Sequence, residues 1–175
     1  MNVTTRPEDA QALAEALTTH CCSELLSDFG FEPVWLAPEH AVPDGVSFCS
    51  VVGFSGQKLR GSIIMSSSGR AANELSSHIP GPIRDVIGEI ANQLGGRLKN
   101  KFLLYGVDLY MTLPVVLRGE HFAPMPRIEL RPIGFSIGSG SMWVWVDTEC
   151  FDGFEMAVRP NPAEAPMAEG EALLF

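Results

Sequence analysis

The sequence has no apolar run long enough to cross a membrane, since a spanning helix needs about 18 or more such residues. Basic residues are also scarce: 12 Lys and Arg stand against 21 Asp and Glu, which gives a formal net charge of −9. Because an acidic chain is repelled by a phosphate backbone, nucleic-acid binding is disfavoured as the main function. The first nine residues lack the basic and apolar stretches of a secretory signal. We therefore expect a cytoplasmic protein.

Cysteine occurs four times, and no Cys-x-x-Cys pair is present. This pattern disfavours both a structural zinc site and a thioredoxin-type redox motif. The run His20-Cys21-Cys22 is interpreted as one turn of a helix with at least one buried cysteine. His40, His78 and His121 have no His or Glu partner at ligand spacing. We expect that this chain binds no metal and no cofactor of its own.

The sequence does contain enough apolar residues for a sizeable core. Of the 175 residues, 46% are hydrophobic and 19% are charged, which is typical of one globular domain. From residue 160 onward the chain becomes rich in Pro, Glu and Ala. We expect residues 1–159 to form a single domain and residues 160–175 to form a flexible acidic tail.

Hydrophobic periodicity predicts helices and strands in alternation. Two long helices are predicted, from Pro7 to a stop at Gly30 and from Ile83 to Leu104, with a short helix over Ala71–His78. Strands are predicted over Val46–Ser55, Leu59–Ser66, Val107–Leu117 (interrupted at Pro114), Ile128–Ile137, Ser141–Val146 and Phe154–Val158. This order indicates an α+β fold.

Similar elements recur about 80 residues apart. Gly53-Phe54-Ser55 returns as Gly134-Phe135-Ser136, and the two long helices both end at a glycine, Gly30 and Gly106. We therefore predict two pseudo-repeated helix-plus-strands units that form a β-sheet with the two long helices packed on it.

The second long helix carries the residues with the clearest chemical potential. At about 100° per residue, one exposed stripe contains Asp85, Glu89, Asn92, Gly96 and Lys99. An acid and an amide thus face solvent one turn apart, although on an exposed helix such residues are usually only solvated. Gly96 would let a partner approach closely, and a helical glycine costs about 1 kcal/mol relative to alanine. The adjacent pair Gly95-Gly96 is also expected to loosen the helix after Asn92.

The spacing Asp85-x-x-x-Glu89-x-x-Asn92, followed by Pro114, resembles the signature of the CheC/CheX/FliY chemotaxis phosphatases. Three further stretches resemble CheX in particular, namely 88–92, 113–119 and 51–56 with Gly61 beyond it. The resemblance covers residues 10–158 and leaves out the tail.

This resemblance implies a CheC/CheX-like fold and a phosphatase that hydrolyses the aspartyl phosphate of a CheY-like response regulator. Glu89 is implied to pair with the regulator's active-site lysine, and Asn92 to position the attacking water. The remaining motif residues are expected to support the helix, the interface or the neighbouring strand: Asp85, Gly96, Lys99 and Pro114. Mg²⁺ is expected in the regulator.

The resemblance also bears on the number of sites and of subunits. Aligned through the terminal glycines, the first long helix has Leu13 and Ala16 where Glu89 and Asn92 stand, so the first unit is expected to be inactive. CheX-like proteins pair through their sheets, which implies a homodimer. The strand Met142–Val146 is apolar on both faces, which fits either a subunit contact or a sheet interior.

Two other functions remain open from the sequence. The chain could be a noncatalytic domain that docks a response regulator or a flagellar-switch protein through the same helix. It could also be an adaptor that acts through residues 164–175, although terminal disorder explains that segment better. The presence of both Glu89 and Asn92 favours the enzyme, because a docking domain need not keep either residue.

Overall fold

The structure is a computed structural model that describes residues 2–36, 46–120, 124–126 and 130–157. Its helices are α1 (Pro7–Asp28), α2 (Gly69–His78) and α3 (Ile83–Leu103). The strands are β1 (Asn2–Thr4), β2 (Val34–Leu36), β3 (Val46–Ser55), β4 (Leu59–Ser68), β5 (Tyr110–Met111), β6 (Val115–Arg118), β7 (Ile133–Ile137), β8 (Gly140–Cys150) and β9 (Glu155–Ala157). One antiparallel sheet has the order β2-β7-β8-β4-β3-β5, with β6 also paired to β3, while β1 and β9 pair separately.

The three helices cover one face of the sheet, and the main core lies between the two layers. Alternate residues of each central strand point into this core because side chains in a strand alternate between its two faces. The largest buried side chains of this layer include Leu25, Ile90, Leu98, Phe102, Ile63, Met65 and Phe135. The sheet therefore holds α1 and α3 side by side, with their outer faces toward solvent.

The opposite face of the sheet has a smaller apolar cluster around strand β8. Trp143 and Trp145 are only 2% and 4% exposed and pack with Val46, while the other face of β8 contributes to the main core. The prediction that these tryptophans share one face is confirmed. Both faces of β8 are therefore buried by residues of the same chain, and no second subunit is needed to cover this strand.

A glutamine side chain extends the hydrogen-bond ladder of β8 beyond the end of its neighbour β7. The β7–β8 pairing stops at Val144, which leaves later residues of β8 without a strand on that side in the described chain. Gln11 of α1 fills the gap: its Nε2 donates to the Val146 carbonyl at 2.8 Å, and its Oε1 accepts from the Thr148 amide at 3.0 Å. Helix α1 is thus attached to β8 by polar as well as apolar contacts.

The sequence-based elements agree with the structure within a few residues where both can be compared. The predicted 107–117 strand is two short strands on either side of Thr112–Pro114, and the hairpin strand predicted from Ile128 begins at Ile133. Helix α3 runs unbroken through Gly95 and Gly96, and the loosening expected there stays a prediction. Residues 128–129, Val158, the tail, His40 and His121 lie outside the described residues.

The order of helices and hairpins is similar in the two halves of the chain. Strands β3 and β4 follow α1, strands β7 and β8 follow α3, and the two hairpins meet at the β4–β8 pair. Each outer edge strand pairs with the other unit's hairpin: β2 pairs with β7 and β6 pairs with β3. The sequence repeat itself stays a prediction.

Among the described helices, none combines the length and apolar character needed to span a bilayer.

Candidate functional site

Helix α3 is amphipathic, and its two ends are set by local sequence. It starts after Gly81, whose φ of +134° suits glycine, and it ends before Gly106, whose φ is +75°. Asp85 lies in the first turn, where a negative charge interacts favourably with the helix dipole. The buried face carries Val86, Ile87, Ile90, Leu94, Leu98 and Phe102.

Both flanks of α3 are held by neighbouring elements, which fixes the face that solvent meets. On one flank, Arg97 Nη2 lies 2.6 Å from Asp28 Oδ2 and Lys101 Nζ lies 3.3 Å from Glu24 Oε2, both on α1. On the other flank are the small residues Gly88 and Gly95. A Cβ atom built at Gly88 would lie 3.5 Å from Val116 of β6, and one at Gly95 would lie 3.0 Å from Met111 of β5.

The predicted stripe lies between these flanks. Asp85 and Glu89 are exposed, and Asn92, Gly96 and Lys99 are partly exposed. A Cβ atom at Gly96 would meet nothing within 4 Å, so the space above this glycine is open. The ammonium of Lys99 lies 6.0 Å from the centre of the Tyr110 ring. The structure thus brings all five predicted residues to one surface.

The acid and the amide of the stripe differ in their hydrogen bonding. Gln93 Nε2 donates to Glu89 Oε1 at 2.7 Å. The side chain of Asn92 makes no hydrogen bond to any other described residue. Sequence reasoning missed Gln93, although its position four residues after Glu89 is the spacing at which helical side chains meet.

Pro114 lies between β5 and β6, the two strands that flank α3. The Thr112 amide still donates to the Gly53 carbonyl at 2.9 Å, and strand pairing resumes at Val115. Since proline lacks an N–H, it occurs at edges and interruptions of sheets. Its position fits the predicted structural role beside the helix.

Exposed apolar side chains are concentrated in the edge segment 110–117, which we call the β5–β6 edge. Four large ones lie within it: Tyr110, Leu113, Val115 and Leu117, which are 69, 69, 57 and 45% exposed. Val116 points toward α3, so the alternating residues Val115 and Leu117 point to the opposite face of the sheet. This edge is therefore apolar on the side away from Glu89 and Asn92.

Neither the first long helix nor the cysteines offer a second chemical site. In α1, Leu13 packs against the core and Ala16 is exposed, so the acid and amide pair is not repeated there. Burial raises the pKa of the Cys21 thiol to about 12 and raises that of Cys22 as well, which keeps both protonated and unreactive. His20 contacts Glu24 at 3.0 Å, and the described residues contain no group of three or more potential metal-ligating His, Cys, Asp or Glu side chains.

The segment that contains α3 matches a known protein family in sequence. Residues 48–127, which include all of α3 and Pro114, match the family model described as "Chemotaxis phosphatase CheX". No curated protein shows significant sequence similarity to the chain.

Solved structures of chemotaxis proteins share the fold at low sequence identity. CheX from Vibrio vulnificus is 20% identical, with a TM-score of 0.67 over 78% of this chain and 96% of that one. CheX from Desulfovibrio desulfuricans is also 20% identical, with a TM-score of 0.65 over 78% and 99%. The Borrelia burgdorferi CheX-CheY-BeF3-Mg+2 complex is 16% identical, with a TM-score of 0.62 over 78% and 97%. The fold of the chain and the family match of residues 48–127 together confirm its resemblance to the CheX-like proteins of the CheC/CheX/FliY family.

Proposed function

We propose that this protein is a phosphatase that hydrolyses the aspartyl phosphate of a CheY-like response regulator. The observation that carries the proposal is the pair of Glu89 and Asn92, one turn apart on the solvent-facing stripe of α3, in a segment that matches the CheX family model. A relative of the same fold has been solved as a CheX-CheY-BeF3-Mg+2 complex, which supports a regulator as the partner.

The reaction needs little from the phosphatase besides positioning. An aspartyl phosphate is a reactive acyl phosphate: water attacks phosphorus, the bond from phosphorus to the aspartyl oxygen breaks, and the carboxylate leaves. Mg²⁺ held by the regulator would neutralise charge on the phosphoryl oxygens. This chain would supply the water's position, and holding a reactant in line can lower a barrier by several kcal/mol.

Asn92 is suited to orient that water. A side-chain amide has a donor and an acceptor but is not a base, so it can fix a water molecule without removing its proton. Its amide is not engaged by any other described side chain and is therefore free to bind water.

Glu89 would fix the docking position. Its carboxylate is exposed and uncompensated by any positive side chain among the described residues, so it can pair with the lysine of a regulator's phosphorylation site. Gly96, one turn beyond Asn92, leaves open space through which the regulator's backbone can approach α3. Asp85 and Lys99 lie at the two ends of this contact surface.

The proposal is tested by phosphate release from a labelled CheY-like regulator, with and without the chain. We expect Asn92→Ala to reduce the stimulated rate by about 100-fold or more, down to the regulator's own rate, because the water is no longer held in line. Asn100→Ala, the same substitution two turns further along α3, is the matched control and should retain activity. Circular dichroism would verify that both variants fold.

The noncatalytic alternative makes a different prediction in the same experiment. A docking domain would bind the regulator in its phosphoryl-analogue form without accelerating phosphate release. Binding by the wild-type chain without stimulated hydrolysis, or full activity of Asn92→Ala, would contradict the phosphatase mechanism.

We also infer that two copies of the chain pair through the β5–β6 edge. Among the described strands, β6 pairs only with β3, so its other side presents unpaired backbone groups next to exposed Val115 and Leu117. An edge strand of this kind can pair with its own copy across a two-fold axis. Because these side chains point away from α3, such a dimer leaves both Glu89–Asn92 surfaces open.

A further inference from the structure

Three neighbouring polar side chains of the site lie in a defined order around α3. At about 100° per residue, Asn92, Glu89 and Gln93 follow one another around the helix axis, with Glu89 in the middle. The carboxylate of Glu89 accepts its 2.7 Å hydrogen bond from Gln93, which is on the side away from Asn92. The carboxylate is therefore held apart from the amide.

Glu89 has two possible partners on this helix surface. Asn92 lies three residues further along and Gln93 four, and both spacings bring helical side chains within contact. A carboxylate that bonded to the Asn92 NH₂ would occupy one of the groups that the mechanism needs for water. Because Gln93 donates instead, the Asn92 amide keeps both its donor and its acceptor.

Because Gln93 is neutral, it also leaves the negative charge of Glu89 uncompensated. Lysine or arginine four residues after a glutamate would form an ion pair and offset its charge. Of the basic side chains further along α3, Arg97 and Lys101 pair with α1 through Asp28 and Glu24, and the Lys99 ammonium lies near the Tyr110 ring. A glutamine orients the carboxylate while leaving its full negative charge for a cation from outside.

We propose that Gln93 is a positioning residue of this site, which holds the Glu89 carboxylate away from Asn92 without neutralising it. This inference rests on the proposed function for its consequence in catalysis. The geometric part, that Gln93 decides where the Glu89 carboxylate lies, can be measured independently of activity.

Two substitutions of Gln93 separate its two effects. We expect Gln93→Leu to lower kcat about threefold to tenfold, because the released carboxylate then bonds to the Asn92 amide. Gln93→Lys still holds the carboxylate but pairs with it, so we expect kcat to be kept while KM for the phosphorylated regulator rises several-fold. Gln57→Leu, an exposed glutamine in the β3–β4 turn, is the matched control and should leave both constants unchanged.

Two further measurements distinguish positioning from a merely structural role. The Asn92 side-chain amide resonances should shift in Gln93→Leu and stay in place in Gln93→Lys and Gln57→Leu. In a Glu89→Ala background, Gln93→Leu should cause no additional loss of kcat, since no carboxylate remains to be held. Unchanged kcat and unchanged Asn92 resonances in Gln93→Leu, or an equal loss in the Glu89→Ala background, would overturn the inference. A wild-type chain without phosphatase activity would instead overturn the proposed function, and the resonance measurement would still decide whether Gln93 positions Glu89.

Discussion

At the scale of single residues, the charge of Glu89 is the property that the proposed docking depends on most. We expect Glu89→Lys to weaken binding of the phosphoryl-analogue form of the regulator about tenfold or more, because two ammonium groups would then face each other across the interface. Stability should change little, since Glu89 is exposed and its one described hydrogen bond joins it to a partly exposed neighbour on the same helix. Binding would be measured by titration calorimetry alongside thermal melting.

Glu32→Lys serves as the control for charge. It makes the same change of net charge at an exposed position in the segment between α1 and β2. If both variants lose affinity equally, the effect is one of overall charge and Glu89 has no specific role. If only the melting temperature of Glu89→Lys falls, Glu89 is a structural residue.

The candidate residues could be predicted from the sequence, but their hydrogen bonding could not. A helical period and a motif spacing were enough to place Glu89 and Asn92 on one exposed stripe. The partner of Glu89 depends on rotamers, and Asn92 and Gln93 are both within reach by spacing alone. Only the positions of the side chains in the structure show which of these two residues bonds to Glu89.

At the scale of the element, α3 contains two adjacent glycines in opposite environments. Gly96 has open space above it, whereas a Cβ atom at Gly95 would lie 3.0 Å from Met111 and 3.4 Å from Val52. We expect Gly96→Ala to stabilise the protein by up to about 1 kcal/mol, because alanine favours the helix. The same variant should lose regulator affinity, because its methyl group occupies the space for the approaching partner.

Gly95→Ala is the matched control within the same helix. Its methyl group points into the protein, so regulator binding should be retained, and displacement of Met111 should offset the gain in helix propensity. Urea unfolding and regulator binding would be measured for both variants. Gly96→Ala with raised stability and full affinity would mean that no partner comes close to α3 at this turn.

The central helices and strands could be predicted from the sequence, and the short strands at the periphery could be predicted only in part. Helix α3 and the β3–β4 hairpin combine strong periodicity with clear glycine or proline boundaries, and their predicted limits agree with the structure. Strand β9 falls within the predicted strand 154–158, but its partner β1 contains only three residues and leaves too short a pattern to detect. The break in the 107–117 strand was predicted at Pro114, whereas the hydrogen bonds between Thr112 and Gly53 of β3 join residues distant in sequence and could not be predicted locally.

At the scale of the whole molecule, the β5–β6 edge is where we expect two copies to meet. Wild-type protein should be a dimer by light scattering at micromolar concentration, and Leu117→Lys should shift it to a monomer because the charge would be buried between the chains. Each protomer should still bind one regulator, since α3 lies on the other side of the sheet. A wild-type monomer would contradict the proposal.

A substitution on the other edge of the sheet is the control for Leu117→Lys. Trp35 of β2 is 50% exposed on the opposite edge strand. Trp35→Lys should leave the dimer intact if the β5–β6 edge is the interface. Dissociation by Trp35→Lys together with a stable Leu117→Lys dimer would assign the interface to β2 instead.

The contact between Gln11 and β8 has a consequence for aggregation. An uncovered strand edge is a template on which other chains can add strands. The last residues of β8 would be such a template if α1 moved away. The Gln11 amide occupies the Val146 carbonyl and the Thr148 amide and so caps the edge as an added strand would. Helix α1 has no counterpart of Glu89 and Asn92, but it covers the unpaired part of the β8 edge and so prevents other chains from pairing with it.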